Sequence, residues 1–189
     1  MAMFSRNGPR TRRLVAFLHR RARARPALRP TLDCHEFPAL FRKRAIVFTD
    51  TADFTTRTLR DGILHFLMVF SAVVAELRPV LRRAGAELVK VEGDSLLLLF
   101  RDAKTACRGV IAIEACLRQR NRRRPDKEQL RFSYGIGYGE VLDIEGDVFG
   151  LEVNLASKLG EDMAKPGEAL LTPAAAGGLD ARTRARLPV

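Results

Sequence analysis

The sequence predicts an α+β fold: a ferredoxin-like βαββαβ core with C-terminal α/β additions, preceded by a basic N-terminal helical arm. Three observations lead there. Short apolar, β-rich runs such as "AIVF" and "LLLLF" alternate with long stretches of helical period. Two of the strand-like runs are joined by a tight Gly-Asp turn, which makes a hairpin rather than a crossover. The 189 residues are 47% hydrophobic, enough for one ordinary domain with a real core and a short extension.

The elements follow in order. "RRLVAFLHRRARARP" has a short apolar centre between arginines and is expected to be a solvated basic helix or frayed arm. It is too short and lacks the small-residue cleavage site of a signal peptide. "AIVF" opens the domain as its first strand, with the polar loop "TDTADFTT" behind it. "GILHFLMVFSAVVAELRPVLRRAG" carries an apolar stripe at helical spacing, with Leu64, Leu67, Met68, Ser71 and Val74 on one face. Pro79 is expected to kink this helix or end its regular part, and Gly85 to stop it. "AELVKVEGDSLLLLF" is the hairpin. A second helix starts at an Asp102 N-cap and packs Ala106, Val110, Ile113 and Leu117. "RQRNRRRPDKEQ" is expected to be a solvated linker, "LRFSYGIGYGEVLDI" a glycine-softened strand, "LEVNLASKLGEDMA" a helix and "EALLT" a last short strand. Residues 1–43 are thus expected to form the arm, 44–178 the domain and 179–189 a C-terminal tail.

Charge and cysteines bound the function. The net charge is +11, but residues 1–44 hold twelve Lys/Arg against Asp33 and Glu36, so the domain itself is near neutral. The arm has few aromatics interleaved with its arginines, which argues against nucleic acid as the partner. The alternative for the arm is an amphipathic segment that contacts an anionic membrane surface or a partner protein. Cys34, Cys107 and Cys116 form no CxxC pattern and no even set, which fits a reducing, cytoplasmic location. No apolar run approaches the roughly 20 residues of a membrane span. His19, His35 and His65 have no metal-ligand spacing with the cysteines.

Chemistry concentrates in two turns. Asp50 ends the first strand, and a loop of small and polar residues leads from it into a helix. Backbone N–H groups in such a loop can cradle phosphate, and a carboxylate beside the cradle suits Mg²⁺. Asp94 lies in the turn of the hairpin, which a ferredoxin-like sheet places next to the first strand. The two aspartates could then meet and hold two metal ions. Lys90 is a charge in an otherwise apolar strand, flanked by Val89 and Val91.

These motifs resemble the catalytic domain of the class III nucleotidyl cyclases, which turn ATP or GTP into the cyclic 3′,5′-monophosphate. The resemblance runs from about Arg44 to Thr172. "FTDTADFT" is similar to the family's metal and phosphate loop, and "KVEGD" to its second metal motif. "DVFGLEVNLASKL" is similar to its ribose and transition-state segment. The resemblance implies Asp50 and Asp94 as ligands of two Mg²⁺ or Mn²⁺ ions. It implies phosphate binding by Thr51, Ala52, Asp53, Phe54 and Thr55. Lys90 and Asp147 become adenine readers, Asn154 the ribose-orienting residue, and Lys158 the stabiliser of the transition state. Lysine with aspartate at the base-reading positions points to ATP, since guanylyl members usually carry glutamate and cysteine there.

The resemblance also implies a homodimer with shared sites, one chain bringing Asp50 and Asp94 and the other Lys90, Asp147, Asn154 and Lys158. The expected activity is therefore an adenylate cyclase in intracellular signalling; the alternative is a weak or inactive cyclase-like module that binds nucleotide or regulates a partner. Several departures favour the alternative. Lys158 replaces an arginine, Asp53 stands where a small residue is usual, and Ser133 stands where many members place an arginine. The Val141–Asp147 stretch is short, and the sequence ends before the strand pair that brings the family's triphosphate-binding lysine.

Overall fold

The computed structural model describes residues 8–36 and 38–187. Its element order is α1 (Pro9–Arg23), α2 (Arg29–Glu36), β1 (Phe41–Thr51), α3 (Phe54–Asp61), α4 (Ile63–Arg83), β2 (Glu87–Glu92), β3 (Ser95–Phe100), α5 (Ala103–Asn121), β4 (Phe132–Ile144), β5 (Asp147–Phe149), α6 (Leu151–Lys158), β6 (Ala169–Leu171), α7 (Pro173–Gly177) and α8 (Ala181–Arg184). The sheet runs β2-β3-β1-β4-β5, with β6 parallel to β4 and the β1, β3 and β4 neighbours antiparallel. This is the α+β, ferredoxin-like arrangement expected, with the first strand flanked by the hairpin and by β4.

Side chains alternate across β1, so each face has its own core. Ala45 and Val47 join Leu96, Leu98, Phe132, Tyr134 and Ile136 under α4 and α5. Ile46 and Phe48 join Leu97, Leu99, Val153 and Ala156 under α6. The glycines of "YGIGYG" make the second layer possible. A Cβ on Gly135 would lie 1.8 Å from the Ala156 carbonyl oxygen, and one on Gly160 would lie 2.9 Å from the Gly135 nitrogen. The strand and helix backbones touch there with no room for a side chain.

Four expectations need correction. The buried stripe of α4 is Phe66, Val69, Phe70, Val73, Val74, Leu77 and Leu81. Leu64, Leu67 and Met68 are 80%, 45% and 56% exposed, and Ser71 is exposed, so of the expected face only Val74 is buried. Nearly every position along this helix is apolar, and period alone could not choose the side. Pro79 does not end the helix, which continues to Arg83. The helix is also long and apolar enough to cross a membrane by length and composition, yet it packs one face into the core. The expected solvated linker is partly ordered: α5 extends to Asn121, and Arg120 is 9% exposed, held by Glu76 (3.3 Å) and the Glu128 carbonyl (2.6 Å).

The arm is the fourth. Residues 1–7 lie outside the described residues, but α1 is neither frayed nor free. Leu14 and Phe17 are 3% and 2% exposed and pack with Leu40 and Ile144. Its N-cap, Gly8, offers no side chain, and Glu145 from the β4–β5 turn supplies the cap instead. Glu145 accepts from the Arg10 and Thr11 amides at 2.9 and 2.8 Å and from the Thr11 hydroxyl at 2.7 Å. Arg10 adds an ion pair to the buried Asp143 at 2.9 Å. The apolar stripe offered for a membrane surface is therefore occupied within the chain.

Candidate active site

The ladder between β1 and β3 builds the acidic edge. Thr49 pairs with Leu96, which carries Asp50 to the level of Ser95 and Thr51 to the level of Asp94. The Thr51 hydroxyl donates to the Asp94 carbonyl at 2.7 Å and pins the turn to the strand end. Asp94 follows Gly93, whose φ of 59° only a glycine adopts without cost. The Ser95 hydroxyl lies 3.4 Å from the Asp50 carboxylate. Burial, the Asp94 carboxylate and the Glu161 carboxylate together push the Asp50 carboxyl up to about 6. Burial also raises Asp94, with Glu161 adding to it. Neither aspartate has a salt bridge to a cationic side chain among the described residues. Two half-buried carboxylates that repel each other and lack a cation form a hard-oxygen donor set suited to a divalent metal ion. Among the described residues, no group of three or more His, Cys, Asp or Glu is placed to hold a metal ion, so the set rests on the two aspartates.

The phosphate loop leaves this edge at once. Thr51 is 2% exposed, Ala52 and Phe54 are half-buried, and Asp53 and Thr55 are exposed. Phe54 anchors the loop by an edge-on contact with Phe66, centroids 4.7 Å apart. Asp53 is the one non-glycine residue with positive φ among the described residues, at 63°. A residue without Cβ strain would suit that position, and Asp is among the side chains that tolerate it.

Lys90 reaches the site through a β-bulge. Leu88 pairs with Leu98 and Lys90 with Leu97, so Val89 is the extra residue. Without the bulge, Lys90 would share a face with Leu88 under α4 and α5. With it, Lys90 joins the α6 face, on which Asp50 also lies. There its ammonium meets the Glu92 carboxylate at 2.9 Å and the Asp147 carboxylate at 3.2 Å. Glu92, and to a lesser degree Asp147, hold the Lys90 pKa above the ordinary lysine value. Asp147 arrives from β5, which pairs antiparallel with the end of β4. The two sequence-predicted base readers are thus in contact within one chain. Asn154 and Lys158, one helical turn apart on α6, are both exposed. Lys158 makes no ion pair with Glu161 or Asp162, whereas Ser157 donates to Glu161 at 2.6 Å.

Sequence reasoning missed Glu161. It stands on a π-helical continuation of α6, Leu159–Met163, near enough for its carboxylate to raise both aspartates. Single-turn π segments often mark functional sites, but no sequence signal announces this one.

Comparison with known proteins places this geometry. An adenylate cyclase of Streptomyces griseus is 31% identical over 154 residues, covering 80% of this chain and 36% of that protein. An adenylate cyclase of Streptomyces coelicolor is 29% identical over 154 residues, 80% of this chain and 38% of that protein. A solved adenylate/guanylate cyclase/hydrolase from Silicibacter pomeroyi superposes with a TM-score of 0.61 at 28% identity, over 72% of this chain and 79% of that one. The chain belongs to the class III nucleotidyl cyclases. It spans little more than a third of the length of the two Streptomyces cyclases. No family model matches the chain.

Proposed function

We propose that this cyclase domain converts ATP to 3′,5′-cyclic AMP and pyrophosphate at sites shared between two copies of the chain. The observation that carries it is the convergence of Asp50 and Asp94, two carboxylates raised first by burial, Asp50 then by Asp94 and both by Glu161, with no salt bridge to a cation among the described residues. These residues would hold two Mg²⁺ or Mn²⁺ ions. Such ions lower the pKa of an attacking hydroxyl and neutralise charge on a leaving pyrophosphate. In the reaction the ribose 3′ oxygen bonds to the α-phosphorus, the bond to the β-phosphate oxygen breaks, and the hydroxyl proton leaves to solvent.

The chain's own residues supply the rest. Lys90 donates to the adenine ring nitrogen and Asp147 accepts from its amino group. The loop from Thr51 to Thr55 orients the phosphates by its backbone amides. Asn154 holds the ribose, and Lys158 places positive charge at the α-phosphate, where charge develops. Asn154 and Lys158 point outward on α6, while the aspartates are half-buried at the strand ends. That split supports a site completed by a second copy, hence a homodimer. Three unpaired cysteines, one of them exposed, favour a cytoplasmic setting.

A second reading has its own observation. Asp53 projects an exposed carboxylate at the head of the loop that would hold the phosphates, which favours a weak or regulatory module. One assay separates them: purified protein with Mn²⁺ and either ATP or GTP, scored for cyclic product. Cyclic AMP supports the cyclase; no product from either nucleotide in a confirmed dimer leaves the regulatory module. In an active protein, Lys90→Glu with Asp147→Cys lowers ATP use and raises relative GTP use, because a mismatched polar pocket rejects the wrong base. An unchanged ratio removes both residues from the base pocket.

A further inference from the structure

Beside the phosphate loop lies a cleft of about 410 Å³ whose walls include Ala52, Asp53, Arg57, Arg60, Asp126 and Arg131. Three guanidinium groups gather there although the domain as a whole is near neutral. Resting on the cyclase reading, we propose that Arg57 and Arg131 bind the terminal phosphates of the nucleoside triphosphate, in place of the phosphate arginine that Ser133 lacks.

The placement is direct. The Ala52 amide donates to the Arg131 carbonyl at 3.0 Å, extending the β1–β4 ladder past its last pair, Thr51 with Phe132. Arg131 therefore stands beside the first residue of the loop. It also lies two residues before Ser133 on the same extended run, so the two side chains leave by the same face. Ser133 sits opposite Asp50, and its hydroxyl lies 3.4 Å from the Asp50 carbonyl, too short to reach past the aspartates. A positive charge displaced by one pleat repeat would meet a phosphate chain further along its length, at the β- and γ-groups rather than the α-group.

Arg57 closes the other wall. It lies one turn into α3, and its amide donates to the Asp53 carbonyl at 2.9 Å. One nitrogen of its guanidinium donates to the Lys127 carbonyl at 3.0 Å, which fixes the group while leaving other donors free. Burial first, and then the neighbouring Arg60, depress the Arg57 pKa; Asp61 and Asp53 oppose the shift and Arg131 adds a little to it. Arg60 is already paired with Asp61 at 2.7 Å and is left out of the assignment. The Arg131 guanidinium has no hydrogen bond or ion pair among the described residues. Asp53 and Asp126 share the cleft and offset part of its positive charge, so the affinity for phosphate rests on the geometry of the two guanidinium forks, which suit phosphate oxygens bidentately.

The test uses inorganic tripolyphosphate as probe, titrated calorimetrically with Mg²⁺ into the full chain. Arg131→Gln and Arg57→Gln should each weaken binding by about tenfold, the scale of one charge-assisted contact. Ser133→Arg placed in the Arg131→Gln protein should recover most of the loss. Binding that persists unchanged in both variants belongs to the basic arm and overturns the proposal, as does wild type that fails to bind tripolyphosphate. Arg131 is exposed, so Arg131→Gln decides the matter even if Arg57→Gln melts early. The cyclase reading stands or falls separately, on cyclic product from the wild type; a protein that binds tripolyphosphate through these arginines but makes no product refutes only that reading.

Discussion

In the proposed site Asp50 would carry two opposed duties, since the burial that would position it for metal also disfavours its charge. Its folded pKa of about 6 lies above the ordinary value of 3.8. A carboxyl raised in this way stabilises the fold below its unfolded pKa and loses that contribution as pH rises through about 6. The metal-free protein should therefore melt lower at pH 7 than at pH 5. Asp50→Asn should remove that slope and raise the pH 7 melting temperature by about 2–4 °C, the shift of roughly 1 kcal/mol in a domain of this size. The same substitution, and Asp94→Ala, should abolish product with Mn²⁺ and ATP. A variant with full activity would falsify the metal assignment. Lys158 poses the converse case, an exposed cation without a fork. Lys158→Arg should raise the rate about tenfold, or 1.4 kcal/mol of barrier, and Lys158→Ala should lower it by more. Equal rates in all three proteins would mark Lys158 as an ordinary surface residue.

At the scale of elements, α1 is tied on through one carboxylate. Burial alone would raise Glu145, but hydrogen bonds from the Arg10 amide and from the Thr11 hydroxyl and amide outweigh it and hold it at about 2. A depressed carboxyl contributes stability above its unfolded pKa and loses it as pH falls toward its folded one. The helix should stay docked at pH 5 and release between about pH 4.5 and pH 2. Glu145→Gln should speed tryptic cleavage after Arg20, Arg21 or Arg23 at neutral pH while the core melts within a few degrees of wild type. Cleavage at the wild-type rate would show that Leu14 and Phe17 hold the helix alone. This docking explains what the sequence could and could not reveal. The strand and helix order was legible because periods of 2 and 3.6 differ, and Asp102 capped α5 as its local pattern said, accepting from the Thr105 amide at 2.8 Å. A cap contributed from 134 residues away has no local pattern. Nor does the bulge, where one extra residue, Val89, decides which face Lys90 takes. The apolar face of α4 was misjudged because Phe66 and Leu67 are equally hydrophobic, and only the sheet beneath chooses between them.

At the scale of the whole molecule, the proposed site would draw on two sets of residues. The acids sit at the strand ends, while Asn154 and Lys158 look outward from α6. If two copies complete each other's sites, Asp50→Ala and Asn154→Ala should each be inactive alone. Mixed after co-expression, half of the dimers would be heterodimers with one intact site, so about a quarter of wild-type activity should return. A mixture as inactive as its components would show that each chain works by itself.

If Lys90 and Asp147 read the base as proposed, their contact makes filling the pocket an exchange rather than an addition. Their 3.2 Å pair must open before a purine can enter between the two charges. Adenine returns what it displaces, with a ring nitrogen that accepts from the ammonium and an amino group that donates to the carboxylate. Guanine in the same seating presents a ring N–H to the lysine and a carbonyl oxygen to the aspartate, so each would gain a repulsion, and Asp147 would lose its partner while Lys90 kept Glu92 at 2.9 Å. On that reading discrimination begins with the ion pair itself, because it is the competitor that every incoming base must match.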